Sequence, residues 1–187
     1  IPDGIPTCFF RNEVKIMGQR FHFCPVCGAG LTKRFLTGKD RLVCCRCGRV
    51  HYENPIVGVA AIILDENGKI LLVRRSPNIT YPGLWCIPCG YLEYDEDVRN
   101  GIVREVEEET NLVIEPLEVF AVHSNFHNPQ QHTVGIWFLS KVISGTPLAG
   151  DDASELGWFE LHDPPSLAFP TDKLVLAELL AKRECAK

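Results

Sequence analysis

Two Cys-x-x-Cys motifs near the start of the chain constrain its fold more than any other feature. Sixteen residues separate the motifs, a spacing typical of zinc sites with four thiolate ligands. A segment of about thirty residues buries too little apolar surface to fold alone, so the metal is expected to supply its folding free energy. We therefore predict a zinc ribbon over residues 18–50 with a closed, structural site. The expected Zn²⁺ ligands are Cys24, Cys27, Cys44 and Cys47.

The other cysteines leave two questions open. Cys45 could replace Cys47 as a ligand, but Cys47 keeps the two-residue gap of the motif. A third pair, Cys86 and Cys89, follows Trp85 and looks like a redox motif, yet no helix is predicted directly after it. We interpret that pair as incidental. Nine cysteines without a secretory signal favour thiolate–metal chemistry in a reducing compartment, so we expect a cytoplasmic protein.

The composition is that of an ordinary globular chain, with 45% hydrophobic and 23% charged residues among 187. The formal net charge is −5, so a nucleic acid is not expected as the principal partner. No apolar run is long enough to span a membrane. Residues 1–17 are expected to be an N-terminal extension or a cloning remnant, because Met17 is the only methionine.

The pattern after the ribbon predicts strands interleaved with two helices. Apolar runs at 56–64 and 70–74 flank an Asn-Gly pair, which predicts two strands joined by a turn. Residues 97–110 have an aliphatic residue at every fourth position, which predicts a helix. Further strands are predicted in "LVIEPLEVFAVHS" and "HTVGIWFLSKV", and a helix capped by Thr171 in "TDKLVLAELLAKR". This order indicates an α/β sandwich with a mixed sheet.

The first predicted helix carries acidic residues at a spacing that suits a cation. Glu105, Glu108 and Glu109 occupy positions i, i+3 and i+4, which share one side of a helix. Their repulsion is costly unless a cation lies among them, and oxygen ligands suit Mg²⁺ or Mn²⁺. A run of acidic residues is usually a solvated helix face, so the spacing leaves both interpretations open.

Residues 90–112 resemble the Nudix box, in which a glycine precedes an Arg-Glu-aliphatic-x-Glu-Glu sequence at fixed spacing. The matching positions are Gly90, Glu96, Arg104, Glu105, Val106, Glu108, Glu109 and Leu112. One position departs, because Asn111 stands where the box has its final glycine. That glycine ends the helix in a left-handed conformation. Asparagine is the residue type that tolerates this conformation most readily apart from glycine itself.

The resemblance implies a Nudix α/β/α sandwich over residues 51–187. Enzymes of this family use divalent metal ions to hydrolyse a nucleoside diphosphate that is linked to another moiety. Arg104 is implied to hold the carboxylates in place. The attacking water is expected to be activated by a glutamate of the box or by an acid of a later loop. Glu155 is the preferred loop residue, with Asp151 and Asp152 as alternatives. The implied Mg²⁺ or Mn²⁺ ligands are Glu105, Glu108 and Glu109.

Candidate substrate contacts come from a strand end and from aromatic residues. Arg74 and Arg75 end the second strand of this domain, and neighbouring strand residues alternate faces. One of them is therefore expected to face the site and to bind phosphate. Phe126 is expected to stack on a nucleobase, with Tyr81 and Trp137 as further candidates.

A Cys₄ ribbon joined to a Nudix domain resembles two subgroups, the ADP-ribose or FAD pyrophosphatases and the NADH pyrophosphatases. The sequence lacks the Ser-Gln-Pro-Trp type motif of the second subgroup, and Pro129 lies near the position of a proline that marks ADP-ribose hydrolases. We therefore expect a homodimer that hydrolyses ADP-ribose or a related ADP derivative such as FAD and releases AMP. The alternative is an NADH pyrophosphatase that also removes NAD-like caps from RNA. A ribbon-mediated binding or regulatory protein on an inactive Nudix scaffold is an alternative of another class.

Overall fold

The computed structural model describes residues 20–185, which belong to two compact units divided between Asn54 and Pro55. The predicted N-terminal extension, residues 1–17, lies outside the described residues. Proline restricts the backbone of the residue before it, so a helix cannot continue across this boundary. Within the described part of the chain, no helix has the length and apolar character needed to traverse a bilayer.

The first unit contains one antiparallel sheet. Its strands, in spatial order, are β1 (Leu31–Leu36), β2 (Lys39–Cys44) and β3 (Val50–His51). Thr37 and Gly38 join β1 to β2 with positive φ angles of 50° and 81°, as the central residues of a type I′ turn require. His51 pairs with Leu42, so the ribbon continues past the predicted boundary at residue 50.

The four predicted zinc ligands lie together in this unit. The sulfur atoms of Cys24, Cys27, Cys44 and Cys47 all lie within 4.8 Å of one another. The backbone N–H groups of Cys47 and Arg46 each donate to the Cys44 sulfur at 3.4 Å, and they lower the pKa of that thiol to about 6. A cluster of four cysteines with a stabilised thiolate fits a tetrahedral zinc ion.

The apolar core of the ribbon is small. Besides two of the cysteines, its buried members are Ala29, Leu31 and Leu42. So few buried side chains cannot offset the conformational entropy of a unit of this length. The metal is therefore expected to hold the ribbon together.

Removal of zinc should unfold the ribbon and leave the second unit folded, because the second unit has its own larger core. Cys44→Ser should have the same effect, and Cys45→Ser should retain zinc because Cys45 lies outside the group of four described ligands. Zinc content by mass spectrometry and amide exchange of residues 20–54 would test both variants. Loss of zinc from the Cys45→Ser variant would contradict this ligand set.

The second unit has seven strands and two helices among the described residues. They are β4 (Ile56–Ile63), β5 (Ile70–Arg75), β6 (Trp85–Cys86), β7 (Cys89–Tyr91), α1 (Val98–Thr110), β8 (Leu112–Asn125), β9 (Thr133–Gly145), β10 (Ala153–Phe159) and α2 (Pro170–Cys185). The strands form two sheets, ordered β7-β4-β9-β8 and β10-β5-β6. Strand β4 is parallel to β9, whereas β7 and β8 pair antiparallel to their neighbours. The prediction of a mixed sheet is confirmed.

The turn predicted at the Asn-Gly pair is present, but it joins strands of different sheets. Gly68 has a φ of 81°, and its N–H donates to the carbonyl oxygen of Asp65 at 3.0 Å. Pairing stops after a single bridge between Leu64 and Ile70, and β4 and β5 then separate. Two apolar runs around a turn do not reveal this change of sheet, because a hairpin gives the same pattern.

Strand β4 contributes to two cores, one on each face. Ala61 and Ile63 belong to the core that contains Ile102 and Val106 of α1. Ile62, which points to the other face, belongs to the core that α2 covers. The central sheets are thus covered by one helix on each side, which confirms the predicted α/β/α sandwich.

Helix α2 begins at Pro170, one residue before the expected cap. Proline suits the first helical position, because the N–H that it lacks would have no partner there. Thr171 is buried inside the first turn, so the prediction that it caps the helix is wrong.

Candidate active site

Helix α1, which carries the box residues, is fixed at both ends by polar side chains. The Asp97 carboxylate accepts the N–H of Arg99 at 2.9 Å and caps the first turn. At the other end Asn111 has a φ of 56°, and its backbone N–H donates to Glu107 at 2.8 Å. Its side chain also donates to the Thr146 carbonyl at 3.0 Å. The asparagine that replaces the box glycine therefore keeps the left-handed helix end.

Arg104 joins the loop before α1 to the helix. Its Nε and Nη2 donate to the two carboxylate oxygens of Glu96, each at 2.8 Å. Its Nη1 donates to Glu105 at 2.9 Å and to Glu108 at 3.0 Å, and Nη2 also donates to the Tyr91 carbonyl at 3.2 Å. A planar guanidinium suits such forked contacts. One side chain thus fixes the positions of three carboxylates.

The carboxyl groups of this cluster have different pKa values because their surroundings differ. The hydrogen bonds from Arg104 lower the pKa of Glu96. Burial raises the pKa of Glu105, although Arg104 opposes this shift. Burial also raises the pKa of Glu109 to about 8, even though the N–H of Cys89 donates to that carboxyl at 3.0 Å. Ionisation of such a buried group needs a compensating positive charge.

Two glycines leave room for these carboxyl groups. A Cβ at Gly90 would overlap the carboxyl group of Glu105. A Cβ at Gly101 would overlap Leu92 and would come within 2.9 Å of a Glu96 oxygen. Neither position can carry a side chain unless a carboxylate or its support moves.

The donor set on α1 fits a hard divalent cation. Glu105, Glu108 and Glu109 offer only oxygen ligands, and a cation would offset the repulsion and desolvation that raise two of their pKa values. Among the described residues, only the four ribbon cysteines form a compact group of three or more potential metal-ligand atoms, so the carboxyl groups of α1 are not gathered into one. Arg104 holds two of the carboxyl groups, and the amide of Cys89 holds the third.

The carboxyl groups of α1 face a cavity of about 780 Å³ in the second unit. Arg74, Phe126 and Glu155 are outside the lining of this cavity. The residues named in the sequence analysis that line it are Arg75, Tyr81, Cys89, Gly90, Arg104, Glu105, Glu108, Glu109, Trp137, Asp151, Asp152 and Thr171.

The consecutive arginines at the end of β5 have different surroundings. Arg75 lies on the cavity wall, with its guanidinium 5.1 Å from the centre of the Phe169 ring and its Nε donating to the Thr80 carbonyl at 2.7 Å. Arg74 forms an ion pair of 3.1 Å with Glu155. The alternation expected for neighbouring strand residues separates the two, and Arg75 is the one on the cavity.

The loop before β10 brings two acids to the cavity. The N–H of Gly150 donates to the Glu109 carbonyl at 3.1 Å, which attaches this loop to the end of α1. Asp151 and Asp152 line the cavity, and the charge of Asp152 contributes to the raised pKa of Glu109. Glu155, which the sequence favoured, lies further along on β10 and is not brought to the cavity.

The aromatic residues on the cavity wall differ from the one predicted. Phe126 is 66% exposed, and its ring contacts His132 at 4.9 Å. Tyr81 lines the cavity, and its ring meets Phe169 edge-on at 5.8 Å. Sequence reasoning missed Phe169, because nothing local distinguishes it from a core residue next to a proline.

Asp172 is a buried acid of the cavity that sequence reasoning also missed. It is 2% exposed, and its Oδ2 accepts the N–H of Ile87 at 3.1 Å. Burial raises its pKa to about 7, and the Ile87 N–H, Trp137 and Arg75 oppose the shift. The buried indole N–H of Trp137 lies near this carboxyl without reaching hydrogen-bond geometry. An aspartate at a helix start reads as a partner of the helix dipole, so the sequence gives no sign of its burial.

The pair formed by Cys86 and Cys89 meets the site through the backbone. Cys86 is fully buried in an apolar cluster, and the N–H of Cys89, rather than its thiol, contacts Glu109. The interpretation of the two thiols as incidental stays a prediction.

Comparison with known proteins agrees with this geometry. The NUDIX domain model matches residues 54–180, and the zinc-ribbon model described as Nudix N-terminal matches residues 22–53. An ADP-ribose pyrophosphatase from Methanocaldococcus jannaschii is 38% identical over 125 residues, which cover 66% of this chain and 73% of that protein. The NAD-capped RNA hydrolase NudC from Stutzerimonas stutzeri is 27% identical over 167 residues, which cover 89% of this chain and 58% of that protein. A crystal structure of a Nudix hydrolase from Nitrosomonas europaea has a TM-score of 0.78 and 30% identity, and the match covers 89% of this chain and 94% of that one.

The matched proteins are hydrolases, and the sandwich, the carboxylate helix and the cavity beside it give this chain the corresponding enzyme class. The domain match over residues 54–180 makes the assignment specific, and the chain belongs to the Nudix family. Its first unit matches the ribbon model that accompanies this family. The predicted family and fold are confirmed.

Asp172→Asn should change the pH dependence of stability. Because burial raises the pKa from 3.8 to about 7, the folded state binds more protons than the unfolded state between these values. The free energy of unfolding of the native protein therefore falls as pH rises through this window. The substitution removes this contribution, which is at most about 1.4 kcal/mol per pH unit. Urea denaturation at several pH values would measure the difference.

The matched control is Asp163→Asn, which replaces an exposed aspartate. This variant should keep the native pH dependence. Identical pH profiles for Asp172→Asn and the native protein would contradict the assigned burial effect.

Proposed function

We propose that this protein hydrolyses the pyrophosphate bond of ADP-ribose or of a related ADP derivative such as FAD, with AMP as one product. The carboxyl groups on α1, which Arg104 holds beside a cavity of about 780 Å³, carry the proposal. The choice of substrate is supported by the relative named ADP-ribose pyrophosphatase, which is 38% identical over 125 residues.

Glu105, Glu108 and Glu109 would hold Mg²⁺ or Mn²⁺. When bound, such an ion neutralises charge on the pyrophosphate and makes a bound water more acidic. Arg104 sets the positions of the first two carboxyl groups, and the amide of Cys89 orients the third. Zn²⁺ would remain in the ribbon as a structural ion.

Other residues of the cavity lining suit the rest of the substrate. Arg75 would bind a phosphate, because a guanidinium matches phosphate oxygens and this one is held in place by Thr80 and Phe169. The rings of Tyr81 and Phe169 provide apolar surface on which a nucleobase can pack.

Asp152 or Asp151 is a better candidate than Glu155 for the acid that assists the attacking water. Both aspartates line the cavity, and their loop is bonded to the backbone of Glu109. Glu155 is engaged by Arg74 and lies outside the lining.

Hydrolysis of NADH or of an NAD cap is the second candidate. The match to the NAD-capped RNA hydrolase NudC extends over 89% of this chain, which favours this reading, but it spans 58% of that protein. The inactive-scaffold alternative is disfavoured, because Glu105, Glu108 and Glu109 of the box line a cavity large enough for a nucleotide.

A homodimer in the cytoplasm is also proposed. Strand β8 is at the edge of its sheet, and Leu117, Val119 and Val122 on it are exposed. An edge strand with apolar side chains suits pairing with a second copy. Zinc-binding thiolates suit a reducing compartment.

Incubation with Mg²⁺ and a panel of ADP-ribose, FAD, NADH, ADP-glucose and diadenosine polyphosphates tests the substrate. We expect AMP release to be fastest from ADP-ribose or FAD, measured by chromatography. Fastest turnover of NADH would favour the second candidate, and binding without turnover of any compound would favour the inactive scaffold.

Glu108→Gln should lower kcat by about 10²- to 10³-fold, as expected when one group that stabilises transition-state charge is lost. Glu107→Gln is the matched control, because Glu107 lies outside the lining of the cavity and its backbone contact with Asn111 is unaffected. Titration of the activity of both variants with Mg²⁺ would show whether Glu108→Gln raises the metal concentration needed for activity, which a defect in folding would not do. Equal activity of the two variants would contradict the proposed ligand set.

A further inference from the structure

The charge of the chain is divided unevenly between its two units. Residues 20–54 contain seven lysines and arginines but two acids, whereas residues 55–187 contain ten lysines and arginines and twenty acids. The net charge of the first segment is therefore +5 and that of the second is −10. The value of −5 for the whole chain conceals a strongly basic ribbon.

Part of this positive charge forms an ordered row on the ribbon sheet. Arg34 of β1 lies directly opposite Arg41 of β2. Tyr52 directly follows β3, and its ring centre lies 5.1 Å from the Arg41 guanidinium. Lys39 is two residues from Arg41 and therefore on the same face. We call Arg34, Lys39, Arg41 and Tyr52 the basic face.

The basic face is costly for the isolated ribbon. Like charges directly opposite each other in an antiparallel pair are destabilising. Within the described ribbon, no lysine or arginine lies within 4.0 Å of a carboxylate, so acids of the same unit do not offset the repulsion. The buried Nε of Arg41 has no hydrogen-bond partner. Such an arrangement is stabilised when an anionic ligand binds.

The spacing of the cations exceeds the size of one phosphate group. Residues two apart on a strand are separated by about 7 Å, and adjacent strands by about 5 Å. Arg34, Lys39 and Arg41 can therefore contact more than one phosphate of a polymer. Tyr52 is 60% exposed, and its ring offers a surface on which an unpaired base can stack.

We propose that the basic face of the ribbon binds single-stranded RNA, with its arginines and lysine on successive phosphates and Tyr52 against a base. This binding does not depend on the hydrolytic activity of the second unit. It gives the ribbon a role beyond support of the fold, and it provides an attachment point for a polymeric chain.

The proposal is tested by fluorescence anisotropy of the full, zinc-loaded protein with a labelled single-stranded oligouridylate. Affinity should fall as salt rises, because phosphate contacts displace counterions. Arg34→Gln/Arg41→Gln should weaken binding about 10-fold or more at low salt and reduce the slope of log K against log salt by about 1.4, or 0.7 for each lost contact. Tyr52→Ala should weaken binding by about 5- to 100-fold with an unchanged salt slope, since stacking releases no counterions.

Lys33→Gln is the matched control, because Lys33 lies on the same strand and points to the opposite face of the sheet. Its affinity and salt slope should equal those of the native protein. Zinc content and amide exchange of every variant would establish that the ribbon remains folded. Absence of RNA binding by the native protein at low salt, or equal losses in Lys33→Gln and the double variant, would overturn the proposal. So would an unchanged affinity of the double variant accompanied by a change in oligomeric state, which would assign the face to protein contact instead.

Discussion

The candidate active site depends on the guanidinium of Arg104. Without it, Glu105 and Glu108 would repel each other on adjacent turns of α1, and Glu96 would lose the contact that ties the preceding loop to the helix. That loop begins at β7, where Tyr91 also accepts a hydrogen bond from Arg104. The same side chain therefore determines how the helix, the loop and the edge strand of the larger sheet meet. A fixed cation in this position keeps carboxyl groups ready for a divalent ion without neutralising all of them.

The parts of the site that sequence predicts well are local in the chain. The glutamates of α1 are related by helix periodicity, and the ribbon cysteines by the turns that each motif forms, so spacing alone brings them together. The substitution at Asn111 was also interpretable, because one backbone conformation decides it. In these segments, the spacing of residues along the chain determines the distance between their side chains.

The other residues of the cavity lining could not be predicted in this way. Asp172 and Phe169 reach it because α2 packs across the sheets from the other end of the chain. The choice between Glu155 and the two aspartates before it depends on where β10 begins to pair with β5. Alternation showed that one of the paired arginines would face the cavity, but only the strand orientation shows that it is Arg75.

The net charge of the whole chain does not show that its two units carry opposite charges. The expectation that nucleic acid is an improbable partner followed from a net charge of −5, which is the sum of two oppositely charged units. Surface potential acts over about one Debye length, roughly 10 Å at moderate salt, so a partner responds to the nearest unit rather than to the total. Partner predictions for chains of this kind are better made for each unit separately.

The hydrogen bond from Cys89 to Glu109 depends on the backbone of residue 89 and not on its side chain. The carboxyl group of Glu109 meets an amide that nineteen of the twenty amino acids can provide, so the thiol at residue 89 can vary without loss of this contact. Proline is the exception, because it has no N–H to donate. Among related sequences, position 89 should therefore hold residues of many chemical types but not proline. The absence of proline, rather than the presence of one preferred side chain, would mark this position.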